Sequence, residues 1–207
     1  MAPCSSKDRP LRSLAEAFDK LAREFEQTGN VDLRLDSLIE ACSRISVLLG
    51  RLGIAFKFAE QDYVSKVEDL LEASKQHETL QSLFDNGVHY GSPTTIDRHI
   101  RSVFYVKRGA DMVKVLFNNI LESRHLSLRE CASKAYEEVF APYHTWAIRK
   151  AVTAGMYTLP SKGHFLRKIH EEETSAGAQM QVYIRAATPI TDFINAMFIA
   201  RRINLDL

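Results

Sequence analysis

The chain has 207 residues, 45% of them hydrophobic and 26% charged, which suits one globular domain with a single well-filled core. Lys and Arg exceed Asp and Glu by one, so no overall field favours nucleic acid and any cationic site must be local. The three cysteines, Cys4, Cys42 and Cys131, show no CxxC or Cys/His ligand spacing, which points to plain thiols in a reducing compartment and away from a disulfide frame or structural zinc.

Residues 1–10 read as a flexible start and residues 11–207 as one domain. Leu11, Leu14, Phe18, Leu21 and Phe25 recur at spacings of three and four, which predicts an amphipathic helix ending near Thr28-Gly29-Asn30. Leu35, Leu38, Ile39, Cys42, Ile45, Leu49 and Leu52 carry the same period to Gly53. A third helix begins near Ile54 and fades near Ser74. Within it Asp62 and Lys66 stand one turn apart, in line with Ala55, Phe58 and Ala59, so an acid and a base end a stripe that reads as buried. From this helix alone an ordinary i,i+4 ion pair is the favoured explanation. A short helix around residues 79–84 precedes the clearest loop, marked by Asn86-Gly87, Gly91 and Pro93, and Thr94 or Thr95 can cap the next helix.

The longest periodic segment runs from Ile96 to about Ser123. Val103, Val106, Ala110, Val113, Phe117 and Ile120 form its apolar side, and Lys107, Asp111, Lys114 and Asn118 its expected wet side. Between them Arg98, Arg101, Tyr105, Arg108 and Met112 follow the i,i+3,i+4 rule, so three guanidinium groups and a phenol share one flank. A solvated basic flank is one reading; a phosphate grip is the other, since the arginine fork matches phosphate geometry. Ser127 opens a helix reaching Phe140. After Pro142 the next one covers Tyr143 to Tyr157, with His144 and Trp146 in its first turn, and ends at Leu159-Pro160. Residues 161–173 and 177–187 look helical, and Thr188-Pro189 supplies a cap and first-turn proline for a last helix through Met197, Phe198 and Ile199. With no strand pattern, the expectation is an all-α protein of about eight helices. No apolar run reaches about 18 residues, and MAPCSSKDRP lacks the core of a secretory signal, so the expected place is the cytosol.

Three blocks in order, GIAFKFAEQDYVSKVEDLL (53–71), YVKRGADMVKVLF (105–117) and FAPYHTWAIRKAVTAGMYTLP (140–160), give the sequence a resemblance to the glycolipid transfer protein superfamily. Within it the chain is similar to the plant branch of accelerated-cell-death-type ceramide-1-phosphate transfer proteins. The resemblance implies a two-layer helical sandwich that encloses lipid chains in an apolar pocket and leaves the head group at a surface site. It implies non-enzymatic transfer of a sphingolipid between membranes, with no cofactor and no metal, a sphingolipid ligand, and transient peripheral membrane contact. Regulatory protein partners and a link to programmed cell death are the further implication, with the protein then acting as a lipid sensor.

By position, Asp62 matches the family aspartate that accepts from the sphingoid amide N–H, and His144 the histidine that donates to the acyl carbonyl. An ionised carboxylate only accepts and an imidazole can donate, so the pair suits the two ends of one amide. Lys66 falls where the phosphate-binding branch has lysine and the sugar-binding branch asparagine, and Arg101 matches the first of two phosphate-gripping arginines. Tyr105 departs from the pattern, standing where the phosphate-binding branch has its second arginine and the sugar-binding branch a stacking tryptophan. Arg108 and Arg98, on the same flank, are the candidates to restore the charge. A ceramide-1-phosphate head group is the first expectation, and a glycosylated or inositol-phosphate sphingolipid the alternative. Trp146 matches a tryptophan used to dock on the bilayer, with a packing role as its other reading, and Tyr157, Leu159 and Lys162 add an interfacial edge. An acid/base enzyme built on Asp62 and His144 lacks a GxSxG elbow, an HExxH cluster or any identifiable nucleophile.

Overall fold

The computed structural model describes residues 9–87, 97–123 and 125–203. Among them are nine α-helices: α1 (Pro10–Gln27), α2 (Leu35–Gly50), α3 (Lys57–Ala73), α4 (Leu80–Gly87), α5 (Arg98–Glu122), α6 (Leu128–Val139), α7 (Trp146–Met156), α8 (Lys162–Lys168) and α9 (Glu173–Ala200). Short 3-10 turns, Ile54–Phe56 and Ala141–Tyr143, precede α3 and the approach to α7. The helices stack in two layers around α5. It lies between α3 and α6 in one layer, while α1, α2 and α9 make up the other, with α9 and α2 packing back onto α5.

Local chemistry sets several of the boundaries. Ser127 and Glu130 close a capping box at α6, with Ser127 N donating to the Glu130 carboxylate at 2.7 Å and Glu130 N to Ser127 Oγ at 3.2 Å. Asp97 caps α5 by accepting from His99 N at 2.6 Å. The expected cap at Thr94 or Thr95, the start at Ile96 and the loop residues Gly91 and Pro93 lie outside the described residues, as do residues 1–8 with Cys4. Asn86-Gly87 ends α4 instead of opening a loop. There α5 crosses so closely that a Cβ on Gly87 would sit 2.9 Å from Ile100 Cδ1.

Four further expectations are corrected by packing. The stripe of Phe58, Ala59 and Asp62 faces solvent, because α3 buries a different line, Tyr63, Leu70 and Ala73. The expected wet side of α5 is partly buried: Asp111 bridges Lys107 (2.8 Å) and Lys114 (3.0 Å), and Lys114 Nζ donates to Thr191 Oγ1 of α9 at 2.9 Å. Thr188-Pro189 starts no new helix. The helix α9 runs through Pro189 because Ala186, Ala187, Ile190, Thr191 and Ile194 hold it in the core on both sides of the missing N–H, and Thr188 Oγ1 folds back onto Ile184 O at 2.7 Å. Finally, the helix expected over 161–173 stops at Lys168, and the chain turns at His170, whose φ is +56°.

Two tyrosines clamp α5 from opposite layers. Tyr183 of α9 lies edge-on to Phe18 and Phe117, with ring centres 4.7 and 5.4 Å away, and donates to Ala110 O at 2.9 Å. Tyr63 of α3 is buried and its hydroxyl reaches Val106 O at 3.4 Å. Its ring rests on Gly109, where a Cβ would lie 2.2 Å from Cε2, so only glycine admits this approach. The cysteines in the core, Cys42 and Cys131, are free, and burial pushes the Cys42 thiol up to about 12. We expect Gly109→Ala to cost about 1–3 kcal/mol, as overpacking does. Urea unfolding should show a lowered midpoint, whereas Gly163→Ala, whose Cβ would come no closer than 3.7 Å to Arg167, should not lower it.

Candidate functional site

Seating Tyr63 on Gly109 places the next turn of α3 beside the N-terminal half of α5. Asp62 Oδ1 and Lys66 Nζ lie 3.7 Å apart, with Asp62 57% exposed. Lys66 Nζ also sits 5.5 Å from the centre of the Tyr105 ring, so the α3 pair and the α5 phenol share one corner. Burial, then the charge of Asp62, pushes the Tyr105 phenol up, while Arg101 and Arg108 pull it down. The hydroxyl is therefore neutral and able to donate at ordinary pH. Arg101 is exposed and makes no ion pair with another described residue.

The other two arginines of the flank have partners. Arg98 bonds Glu72 of α3 at 2.5 Å, with Asp69 at 4.0 Å. Arg108 is sandwiched between the rings of Phe104 and Tyr143, at 4.3 and 3.4 Å, and donates through Nη1 to Val139 O. Its Nε is buried with no hydrogen-bond partner among the described residues. Thus Lys66 and Arg101 remain the cations at this corner without strong protein anchors, Lys66 having only the long Asp62 contact.

His144 is extended (φ −96°, ψ 140°) between the 3-10 turn and Thr145, which caps α7, and so stands just outside the first turn where sequence spacing puts it. Phe140 stacks on its ring with centres 5.6 Å apart and planes at 21°. Tyr136 of α6 lies with its hydroxyl 2.8 Å from His144 Nδ1, and Arg149 Nε donates to His144 O at 2.9 Å. Burial lowers the imidazole pKa, with Arg149 and Arg108 adding to that effect and Asp62 opposing it, so His144 is neutral at pH 7. Asp62 and His144, on α3 and before α7, therefore lie within each other's field.

Trp146 is 73% exposed, with Lys150 Nζ 5.8 Å from its ring. Only Met156 of α7 is buried. Ile54 (94%), Phe58 (80%) and Tyr157 (71%) are also bare. Far from the charged corner, an open pocket of about 630 Å³ lies at the other end of α5, with Ile120, Leu121, Leu128, Phe165, Leu166 and Met180 on its apolar side and Lys162, Glu173, Thr174 and Gln181 at its polar rim. Ile120 is a dozen residues beyond Arg108, about 18 Å at the rise of an α-helix.

The structure thus gathers Asp62, Lys66, Tyr105 and His144, with Arg101 one turn from Tyr105 and Arg108 behind it. An acceptor, a ring N–H and two cations can together hold an amide and an anion. Sequence reasoning missed Tyr136, Phe104, Tyr143 and Arg149. No helical spacing links Tyr136 to His144, because the chain breaks at Pro142 between them; Phe104 stands i,i+4 to Arg108 on α5, but no sequence signal brings Tyr143 to the other side of the guanidinium. Among the described residues no three His, Cys, Asp or Glu side chains gather to hold a metal ion, and no helix is long and apolar enough to cross a membrane.

The sequence pattern of the family described as Glycolipid transfer protein (GLTP) matches residues 33–171. The chain is 42% identical over 203 residues to Accelerated cell death 11 of Arabidopsis thaliana, covering 98% of each. A structure of an aspartate-to-asparagine mutant of that protein, complexed with C12 ceramide-1-phosphate, superposes with a TM-score of 0.89 over 96% of this chain and 98% of that one, at 42% identity. The human ceramide-1-phosphate transfer protein is 28% identical over 72% of this chain and 75% of its own. The pattern covers more than half of the sequence and the Arabidopsis relative nearly all of it: the chain belongs to the glycolipid transfer protein family.

Proposed function

We propose that the protein carries a sphingolipid, ceramide-1-phosphate in the first place, between membranes facing the cytosol, without making or breaking a bond. The observation that carries this reading is the meeting of Asp62, Lys66, Tyr105 and His144, from three separated segments, at one corner of a chain closely similar to a protein solved with ceramide-1-phosphate. Asp62 accepts from the sphingoid amide N–H and His144 donates to the acyl carbonyl. Lys66 and Arg101 hold the phosphate through charge-assisted bonds, with the neutral Tyr105 hydroxyl as a third donor. Arg108 adds its field from behind, since its Nη1 is engaged by Val139.

Each CH₂ brought into water costs about 0.8 kcal/mol, which keeps a two-chain lipid in its membrane. The apolar side of the pocket at the far end of α5 is the candidate destination of the chains, while the exposed Trp146, flanked by Lys150, touches the head-group layer during exchange. No cofactor is needed. A lipid-sensing role, with regulatory protein partners, would use the same site.

The deciding experiment is vesicle-to-vesicle transfer of ceramide-1-phosphate and a neutral glycosylceramide side by side. Faster transfer of the phosphate lipid is expected; faster glycosylceramide transfer overturns the head-group assignment, and hydrolysis of either lipid overturns the non-enzymatic reading. Arg101→Ala or Lys66→Ala removes a charge-assisted bond of about 1.5–3 kcal/mol. Ceramide-1-phosphate transfer should then fall about ten- to hundredfold, with the circular dichroism of the helices unchanged. Tyr105→Arg should raise phosphate-lipid transfer relative to the neutral lipid, because it adds a third cation at the corner. If the cavity takes the chains, Gly177→Leu, whose Cβ would meet Leu121 at a relaxed 3.7 Å, should fill part of it. Transfer should then shift toward shorter acyl chains; an unchanged chain-length profile removes the cavity from the pathway.

A further inference from the structure

We infer that Tyr136 is a positioning residue for ligand recognition: by donating its hydroxyl hydrogen to His144 Nδ1, 2.8 Å away, it fixes the imidazole as the Nε2–H tautomer and so keeps a donor turned to the lipid. This rests on the reading that His144 meets the lipid amide. A neutral imidazole has one N–H and one lone pair, and which nitrogen carries the hydrogen is set by what the other nitrogen binds. Partial burial pushes the Tyr136 phenol up, so it holds its hydrogen throughout the working pH range. No other bond of this hydroxyl is found among the described residues. If His144 Nδ1 instead donated to the phenol oxygen, the phenol hydrogen would be left without a protein acceptor and Nε2 would face the ligand as a lone pair. That lone pair would repel an acyl carbonyl. With the phenol as donor, both hydrogens have a use.

The ring has little freedom to evade this assignment. Phe140 stacks on one face at 21°, Tyr136 lies tilted beside it at 42°, and Arg149 Nε holds the carbonyl of His144 itself at 2.9 Å. The charged and titratable groups that His144 feels come from every element around it: Asp62 on α3, Arg108 on α5, Tyr136 on α6 and Arg149 on α7. Asp62 favours the imidazolium, while Arg108, Arg149 and burial disfavour it. The neutral ring is the working form, and it alone has a tautomer to choose.

The test uses that last point. In the Tyr136→Phe variant the ring stays and the hydroxyl goes, so the neutral imidazole divides between tautomers. With about half of the rings left in the competent Nε2–H form, ceramide-1-phosphate transfer falls about twofold relative to wild type at pH 7.5. An imidazolium carries N–H on both nitrogens whatever its neighbour, so the deficit vanishes below the His144 midpoint of the variant, with both proteins measured at the same pH. Imidazole ¹⁵N NMR of the free proteins reads the tautomer directly: Nε2–H in wild type, a mixture in Tyr136→Phe with a raised midpoint. In a His144→Gln background, Tyr136→Phe has no additional effect on transfer. A deficit independent of pH, no deficit at all, or an unchanged tautomer overturns the role of Tyr136 while wild-type transfer stands. Absence of transfer by the wild type overturns the transfer reading, and this inference with it.

Discussion

The contact of the Tyr63 ring with Gly109 governs the rest of the molecule. A side chain on Gly109 would occupy the place of the ring, so α3 and α5 approach only because that position has none. Asp62 precedes Tyr63 directly and Lys66 follows within a turn, so anchoring the tyrosine fixes both at the Tyr105 corner. From the other layer Tyr183 bonds the Ala110 carbonyl, so α5 is held on opposite sides at neighbouring residues. A helix fixed in this way presents Arg101 and Tyr105 from a rigid base, which is how a site retains its geometry through repeated binding and release.

Charge on this chain is distributed by geometry more than by composition. Arg98 answers Glu72 and Asp69, and Lys107 and Lys114 share Asp111, whose carboxyl burial would raise but whose two lysines hold below its ordinary range. Arg108 is held by two aromatic faces and a carbonyl. Lys66 and Arg101 are left with weaker protein partners, and unanswered cations beside a carboxylate and a neutral histidine are suited to an amide that carries an anionic group. Burying a cation without a counter-charge is costly, and the more deeply placed Lys107 and Lys114 both have Asp111 as theirs.

The charged corner at Tyr105 and the largely apolar pocket at Ile120 lie toward opposite ends of α5, about 22 Å apart by helical rise. In the transfer reading this separation matches an amphipathic ligand, with a polar end held by directional bonds and chains held by the removal of area from water. Trp146, Ile54 and Phe58 are large apolar side chains left exposed. In the transfer reading it is this surface, with Lys150 beside Trp146, that meets the bilayer.

The sequence by itself determined the all-α class and the course of most helices, though not the stop at Lys168 or the continuity of α9. Period and caps are local, and local signals survive without knowledge of neighbours: the helix start at Ser127 and the helix expected from Leu11 to Phe25 are examples. The tertiary structure decided which of two polar-looking faces lies inward, as the exposed Phe58 and the partly buried Lys107, Asp111 and Lys114 demonstrate. It decided that Pro189 interrupts nothing, because core packing on both sides outweighs one missing hydrogen bond. It also decided that Arg108 answers Val139 and that Tyr136 meets His144. Those partners stand on different elements, and helical periodicity specifies a direction from an axis without specifying what another helix will bring to meet it.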